Sequence, residues 1–282
     1  MSFPEITRFA PSPTGYLHIG HAYAALFAEK IAKETGGRFI LRIEDIDNAR
    51  CKPELEEAIY EDLNWLGLKW EEPVRRQSNH LTDYTAALNT LSNLNLTYPC
   101  FCTRKEINKE IQRAGGAPHN ADVSVYPGIC KLLTETERME RINKGQGHAI
   151  RLNVAEALKI TGVLSWKDWS AGLQTANFDC FGDIIIARKD IPTSYHLSVT
   201  VDDALQDITL VTRGEDLIES TPIHRLLQAL LGYKSPQYFH HKLIKNSEGK
   251  RYAKRDHDTS LRFLRSEGKK PKDIRSMIGM DS

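Results

Sequence analysis

The chain lacks the features that would tie it to a membrane or to an oxidising compartment. No apolar run approaches the ~18 residues that a membrane-spanning helix needs. The first fifteen residues, MSFPEITRFAPSPTG, have no basic stretch leading into an apolar one, so a secretory leader is not expected. There are five cysteines in 282 residues, an odd number that does not make a disulfide framework. Net charge is only +1, which gives no overall signature of a polyanion binder. There is no internal repeat and no low-complexity tract. These absences leave a cytoplasmic globular protein of one or two domains, with no membrane partner and a monomer as the default.

Within this near-neutral balance the cations are unevenly placed. Lysines and arginines crowd the last forty or so residues, from Lys242 to Arg275. Such a cluster reads as a solvated helical surface or as one facing the phosphates of ATP or RNA.

The local patterns alternate between two periods. A short strand at about 5–10 runs into the loop Pro11–Gly15, and a helix follows from near His18 to Gly36-Gly37. Residues 38–43 alternate as a strand, and Pro53 opens a helix that Gly67 closes. Strand, helix, strand, helix at this spacing argues for an α/β fold with a parallel sheet and crossover helices. The stretch 98–190 changes character: it holds short strands near 148–152, 162–167 and 183–187, and it reads as an insertion. The α/β pattern resumes with a helix near 194–205, a strand at 208–212 and a helix opened by Ser220-Thr221-Pro222. Two short amphipathic helices end the chain.

The segment RFAPSPTGYLHIGH, residues 8–21, carries the chemistry. A strand, a Pro/Gly-rich loop and a helix N-terminus make a phosphate site, because exposed N–H groups and the helix dipole both favour negative charge. His18 and His21 are three apart and share one side of the first turn, where both rings can donate to a phosphate. Gly20 leaves room for a base or ribose.

This segment resembles the first signature of class I aminoacyl-tRNA synthetases, in the form carried by glutamyl- and glutaminyl-type enzymes. Arg251-Tyr252-Ala253-Lys254-Arg255 is similar to the second signature of that family, with Arg251 for its first lysine and Ala253 for its serine. The resemblance implies an ATP-dependent ligase with a Rossmann-like catalytic domain at 1–97 and 191–257. It further implies an acceptor-binding-like, zinc-containing insertion at 98–190 and a short helical segment at 258–282. It makes His18, His21 and Lys254 catalytic, and it puts ATP on His18, Gly20, His21, Arg251 and Lys254 with Mg²⁺. It carries L-glutamate binding onto Arg8, Phe9, Ala10, Pro11, Ser12, Glu44, Tyr195 and Arg213. In physical terms, Arg8 at the end of the first strand suits the carboxylate and Glu44 at the end of the second suits the ammonium.

Cys100 and Cys102 form C-x-C, and Tyr126 and Cys130 form Y-x₃-C. Three thiolates plus one oxygen or nitrogen can close a tetrahedral zinc site; Tyr126, His119 and Asp122 compete for the fourth position. The pattern C-x-C…Y-x₃-C resembles the structural zinc module of a small synthetase-like subgroup, which implies Cys100, Cys102, Tyr126 and Cys130 as the ligands. Cys51 and Cys180 read as free thiols.

Only 27 residues follow Arg255, so no separate anticodon-binding part is expected. The subgroup resembled over nearly the whole length is that of the glutamyl-Q tRNA(Asp) synthetases. This implies transfer of activated glutamate to the queuosine base of tRNA(Asp). The alternatives are a shortened glutamyl-tRNA synthetase that charges the terminal ribose, and a non-catalytic ATP/glutamate-binding paralogue.

Overall fold

A computed structural model describes residues 3–103, 105–107, 126–179, 181–244 and 260–280. Strand β1 (Ile6–Phe9) pairs in parallel with β2 (Arg38–Ile43) across helix α1 (Ile19–Glu34). The helix ends at Thr35, and Gly36 follows at φ +67°. Gly37 lies so close to the start of β1 that an added Cβ would sit 1.9 Å from the Glu5 carbonyl oxygen, so this return turn requires glycine. Helix α2 (Pro53–Trp65) starts on proline, as its sequence predicts, and leads to β3 (Arg75–Arg76), which extends the parallel sheet beside β2.

After α3 (Leu81–Asn93) the chain builds a separate three-stranded antiparallel sheet in the order β4 (Thr97–Cys100), β5 (Ala149–Leu152), β8 (Ile184–Ala187). Helices α4 (Glu135–Asn143) and α5 (Val154–Thr161) flank β5 in sequence. The hairpin β6 (Ser165–Asp168) and β7 (Gly172–Thr175) lies within 98–190, yet β6 pairs in parallel with β10 (Gln237–His241). The stretch therefore contributes to two sheets.

Helix α6 (Tyr195–Leu205) precedes β9 (Leu210–Gly214), and α7 (Thr221–Leu230) connects β9 to its parallel neighbour β10. The sheet β7-β6-β10-β9 meets β1 at Thr209, whose N–H donates to the Ile6 carbonyl at 3.1 Å and whose hydroxyl accepts the Ile6 N–H at 2.8 Å. Parallel strands on crossover helices confirm the α/β expectation.

Two short helices, α8 (Leu261–Ser266) and α9 (Pro271–Met277), bury Leu261, Leu264, Ile274 and Ile278 against Leu26, Ile59 and Leu63 of α1 and α2. A second core joins α3, α5, α6 and α7 through Tyr84, Leu91, Leu197, Val201 and Leu226. Arg8 stands on β1, Glu44 just after β2 and Arg213 on β9, and strand ends are where such folds place their ligands.

Candidate active site

His18 is the N-cap of α1, and its backbone is extended. Its Nδ1 accepts the Gly20 N–H at 3.1 Å, while His21 Nδ1 accepts the His18 N–H at 3.1 Å. Two donors of the helix start are thereby satisfied by the very histidines the motif supplies. With Nδ1 accepting in both rings, each neutral imidazole carries its hydrogen on Nε2. The ring centroids lie 3.8 Å apart. The helix start thus holds two imidazoles side by side, with Nε2 left as the hydrogen-bearing nitrogen of each. A Cβ at Gly20 would meet His18 Cε1 at 3.0 Å, so this glycine also makes room for the cap itself.

The loop between β1 and α1 is fastened to its neighbours by main-chain bonds. The Glu44 N–H donates to the Pro11 carbonyl at 3.0 Å, the Lys52 N–H to Pro13 at 3.1 Å, and Thr14 to Ser12 at 2.8 Å. Ser12 Oγ lies 3.7 Å from Cys51 Sγ. Phe9 and Pro11 are buried, while Ala10 and Ser12 are half-buried.

Arg8, Glu44, Tyr195 and Arg213, widely separated in sequence, come together here. Arg8 is buried, and Asp203 of α6 accepts from its Nε at 3.0 Å and Nη2 at 3.5 Å while Nη1 donates to the Thr212 carbonyl at 3.2 Å. Three of its five N–H groups are thereby engaged. Arg42 shares the same carboxylate through Nη2 at 2.8 Å and reaches Glu44 Oε1 at 3.3 Å. Burial pushes the Glu44 carboxyl above its ordinary range, against the pull of Arg42 and Arg8. Burial tends to raise Asp203 too, but Arg8 and Arg42 hold it below the usual range. Tyr195 is raised by burial, with Arg213 and Arg8 opposing and Glu44 adding to the shift.

Arg213 differs from the other two arginines. Its Nε donates to His240 Nε2 at 3.1 Å, its Nη1 faces His224 Nδ1 at 3.1 Å, and its Nη2 donates to Thr221 Oγ1 at 2.7 Å. All three partners are neutral acceptors, since burial first and Arg213 second depress both imidazoles, His240 to about 4 and His224 well below its ordinary value. Among the described residues, no carboxylate contacts this buried guanidinium directly.

Sequence reasoning missed Asp203, Arg42, Asp168 and His240. The adjacent pair Asp202-Asp203 inside the apolar helix YHLSVTVDDAL was a usable signal, because two buried carboxylates need cations. Asp202 takes Arg75 at 2.8 Å, Gln77 at 2.7 Å and the Tyr84 hydroxyl at 3.0 Å. Arg251 and Lys254 lie outside the described residues, as do His119 and Asp122.

The sulfurs of Cys100, Cys102 and Cys130 all lie within 4.8 Å of one another. The Tyr126 hydroxyl stands 3.5 Å from Cys100 Sγ and 3.7 Å from Cys102 Sγ, and the two sulfurs of Cys102 and Cys130 are 3.3 Å apart. Ligand atoms around a tetrahedral zinc stand roughly 3.5–3.8 Å from each other, given Zn–S bonds of ~2.3 Å. The four side chains therefore fit a metal. The Phe101 N–H donates to Cys130 Sγ at 3.3 Å, and the Cys130 N–H donates to the Tyr126 oxygen at 2.8 Å, the kind of support that orients anionic ligands. The Cys100 thiol is held well below the ordinary thiol range, chiefly by a hydrogen bond from Cys130. Arg151 covers the Tyr126 ring at 3.7 Å. Cys51 is a free thiol, and Cys180 lies outside the described residues.

Fold and site together define an α/β nucleotide-binding domain with a paired-histidine helix start and a buried arginine–carboxylate pocket. The chain belongs to the family described as tRNA synthetases class I (E and Q), catalytic domain, whose profile matches residues 6–280, and it is a ligase of the aminoacyl-tRNA synthetase type. It is 46% identical over 280 residues to the Glutamyl-Q tRNA(Asp) synthetase of Rhodobacter capsulatus, covering 98% of this chain and 100% of that one. It is 41% identical over 267 residues to the Glutamate–tRNA ligase of Aquifex aeolicus, covering 94% of this chain and 54% of that one. The crystal structure of a glutamate tRNA ligase from Elizabethkingia meningosepticum in complex with its amino acid superimposes with a TM-score of 0.76 at 31% identity, over 90% of this chain and 53% of that one. The chain spans about half the length of those glutamate ligases. The family resemblance carried by residues 8–21 is borne out. Among the described residues no helix is long and apolar enough to cross a membrane.

Proposed function

We propose that the protein activates L-glutamate with ATP and transfers the glutamyl group to the queuosine base of tRNA(Asp). The observation that supports this most is that Arg8, Glu44, Tyr195 and Arg213 gather at the strand ends, directly ahead of a loop that leads into the paired histidines at the start of α1. Relatives named Glutamyl-Q tRNA(Asp) synthetase match along their whole or nearly whole length, which supports the acceptor.

In this reading Arg8 and Arg213 receive the carboxylates of glutamate, and Glu44 and Tyr195 its ammonium end, with Phe9–Ser12 as the pocket wall. ATP enters as its Mg²⁺ complex. An oxygen of the α-carboxylate attacks the α-phosphorus, the new C–O–P bond forms, and the bond to pyrophosphate breaks. His18, His21, the start of α1 and Lys254 stabilise the charge on the phosphate oxygens. A hydroxyl of the cyclopentene-diol of queuosine then attacks the glutamyl carbonyl. An ester forms, AMP leaves, and the hydroxyl proton is lost to solvent or to AMP.

The division into a catalytic domain at 1–97 and 191–257, an acceptor-facing insertion at 98–190 and a C-terminal segment at 258–282 is part of the proposal. Zinc on Cys100, Cys102, Tyr126 and Cys130 would brace the root of β4 against the turn at Gly128–Lys131. Its contribution there is folding energy, with no part in the reaction.

The test uses labelled glutamate, ATP and tRNA(Asp) with and without queuosine, followed by ribonuclease fragmentation. The expected result is label on the anticodon fragment of the queuosine-bearing tRNA alone. Label on the 3′-terminal fragment makes the protein a shortened glutamate–tRNA ligase. No label, together with no pyrophosphate release from folded protein, makes it a non-catalytic paralogue.

A further inference from the structure

Behind Arg213 runs a chain of buried polar groups with no assigned part in the reaction. The Asp168 carboxylate is fully buried at the end of β6. Its Oδ1 accepts the Ser170 N–H at 2.8 Å, the Ser170 hydroxyl at 2.6 Å and the Ala171 N–H at 3.2 Å, so the turn after β6 fixes the group. Its Oδ2 is left facing His240 Nδ1 at 2.5 Å. An ionised carboxylate only accepts, so His240 carries its hydrogen on Nδ1 and turns the Nε2 lone pair to Arg213 Nε. The Tyr238 ring stacks parallel to the imidazole, with 1° between planes, and the Thr221 hydroxyl also meets Nε2 at 3.2 Å. Three neighbouring strands thus supply one residue each: Asp168 from β6, His240 from β10 and Arg213 from β9.

The contrast with the rest of the pocket shows what the arrangement does. Arg8 and Arg42 meet Asp203 directly, and Arg42 also meets Glu44, so carboxylates in contact share their charge. A carboxylate set directly on Arg213 would likewise share its charge and weaken its pull on an incoming carboxylate. A neutral imidazole interposed between Asp168 and Arg213 orients the guanidinium and leaves its charge for a ligand.

We infer that Asp168 and His240 are positioning residues that aim Arg213, un-neutralised, at a carboxylate of the amino-acid substrate and so set the preference for an acidic side chain or α-carboxylate over neutral analogues. The inference rests on the proposed activation of glutamate. Neither residue touches the substrate; each acts through Arg213.

The experiment compares D168N, H240L and H240Q with the unaltered protein. The readings are glutamate-dependent pyrophosphate exchange, thermal unfolding, and ¹⁵N spectra of the histidine rings. In D168N the amide can donate to the ring, and His240 can turn its N–H toward Arg213, which spoils the acceptor. The expected result is a rise in KM for glutamate of roughly tenfold to a hundredfold, as for other partners that orient a ligand-binding group. The KM for ATP stays unchanged and kcat falls far less. H240L should behave like D168N. H240Q, whose Oε1 can take the place of Nε2, should recover most of the glutamate KM. The ring spectra should show His240 with its hydrogen on Nδ1 in the unaltered protein and lose that pure form in D168N. Equal rises in both KM values, or lower melting with an unchanged glutamate KM, would make the chain a structural staple and overturn the inference. If the unaltered protein exchanges nothing with glutamate, the proposed function fails. The ring spectra then still decide the positioning, since a hydrogen on Nε2 contradicts it.

Discussion

Ser260 and His18 face each other as an antiparallel bridge, and beside them the Leu261 N–H donates to the Leu17 carbonyl at 2.8 Å. The two residues are at opposite ends of the chain, yet the segment leading into α8 is pinned to the first turn of α1. Lys254 precedes Ser260 by six residues in the sequence. On the other flank, Ile244 packs against the same core as Leu17.

Lys254→Ala should lower the kcat of glutamate-dependent pyrophosphate exchange by about 10²–10³-fold, the range for loss of one group that stabilises developing charge, with little change in glutamate KM. Lys254→Arg should retain part of the activity. Steady-state kinetics at saturating ATP checks both.

The cap that His18 forms and its proposed contact with phosphate are separable. Asn is a favoured N-cap and can accept the Gly20 N–H, but it offers no donor at the Nε2 position. His18→Asn should therefore melt close to the unaltered protein and still lose most of its exchange activity. His18→Ala should lose the activity and about 1 kcal/mol of stability as well. Denaturant unfolding set beside kinetics separates the two effects.

Asp62 on α2 is buried under α8 with neither carboxylate oxygen hydrogen-bonded, and Arg265 Nη1 comes only to 3.9 Å. Burial pushes its pKa from 3.8 to about 6, against Arg265. Its folded value lies above its unfolded value, so the folded state binds the proton more tightly. Stability should fall as pH rises from about 4 through about 6. Asp62→Asn should stabilise the protein at pH 7.5 by about 1–2 kcal/mol, and the gain should shrink toward pH 4. Urea unfolding across that range checks it.

The protein should hold one zinc per chain on the Cys100, Cys102, Tyr126 and Cys130 side chains. Cys102→Ser should abolish stoichiometric binding. Tyr126→Phe, which keeps the three thiolates, should weaken binding by at least about tenfold. Metal analysis after dialysis against a chelator measures this, and thermal unfolding should show the loss as lower stability.

Much of this was legible because it is written locally. Pro53 and Gly67 bound α2, the spacing of Ile223, Leu226, Leu227 and Leu230 announces α7, and α1 starts near His18 as its sequence predicts. What was not legible is carried by pairs far apart in sequence. Arg8 meets Asp203, and His240 meets Asp168; no window of local sequence holds both members. The pairing of β6 with β10 was hidden for the same reason, since a short strand followed by a tight hairpin looks alike in an insertion or in the main sheet. Arg8 at the strand end suits a carboxylate, and the structure adds that Asp203 shares its charge, whereas Arg213 has no carboxylate on it among the described residues.

Exchange of labelled pyrophosphate into ATP, run with glutamate, glutamine or no amino acid and with tRNA present, tests the central claim most directly. The account predicts exchange with glutamate, at least about 10³-fold weaker exchange with glutamine, and none without amino acid. Equal exchange with glutamine, or none with glutamate in folded, zinc-loaded protein, would contradict it.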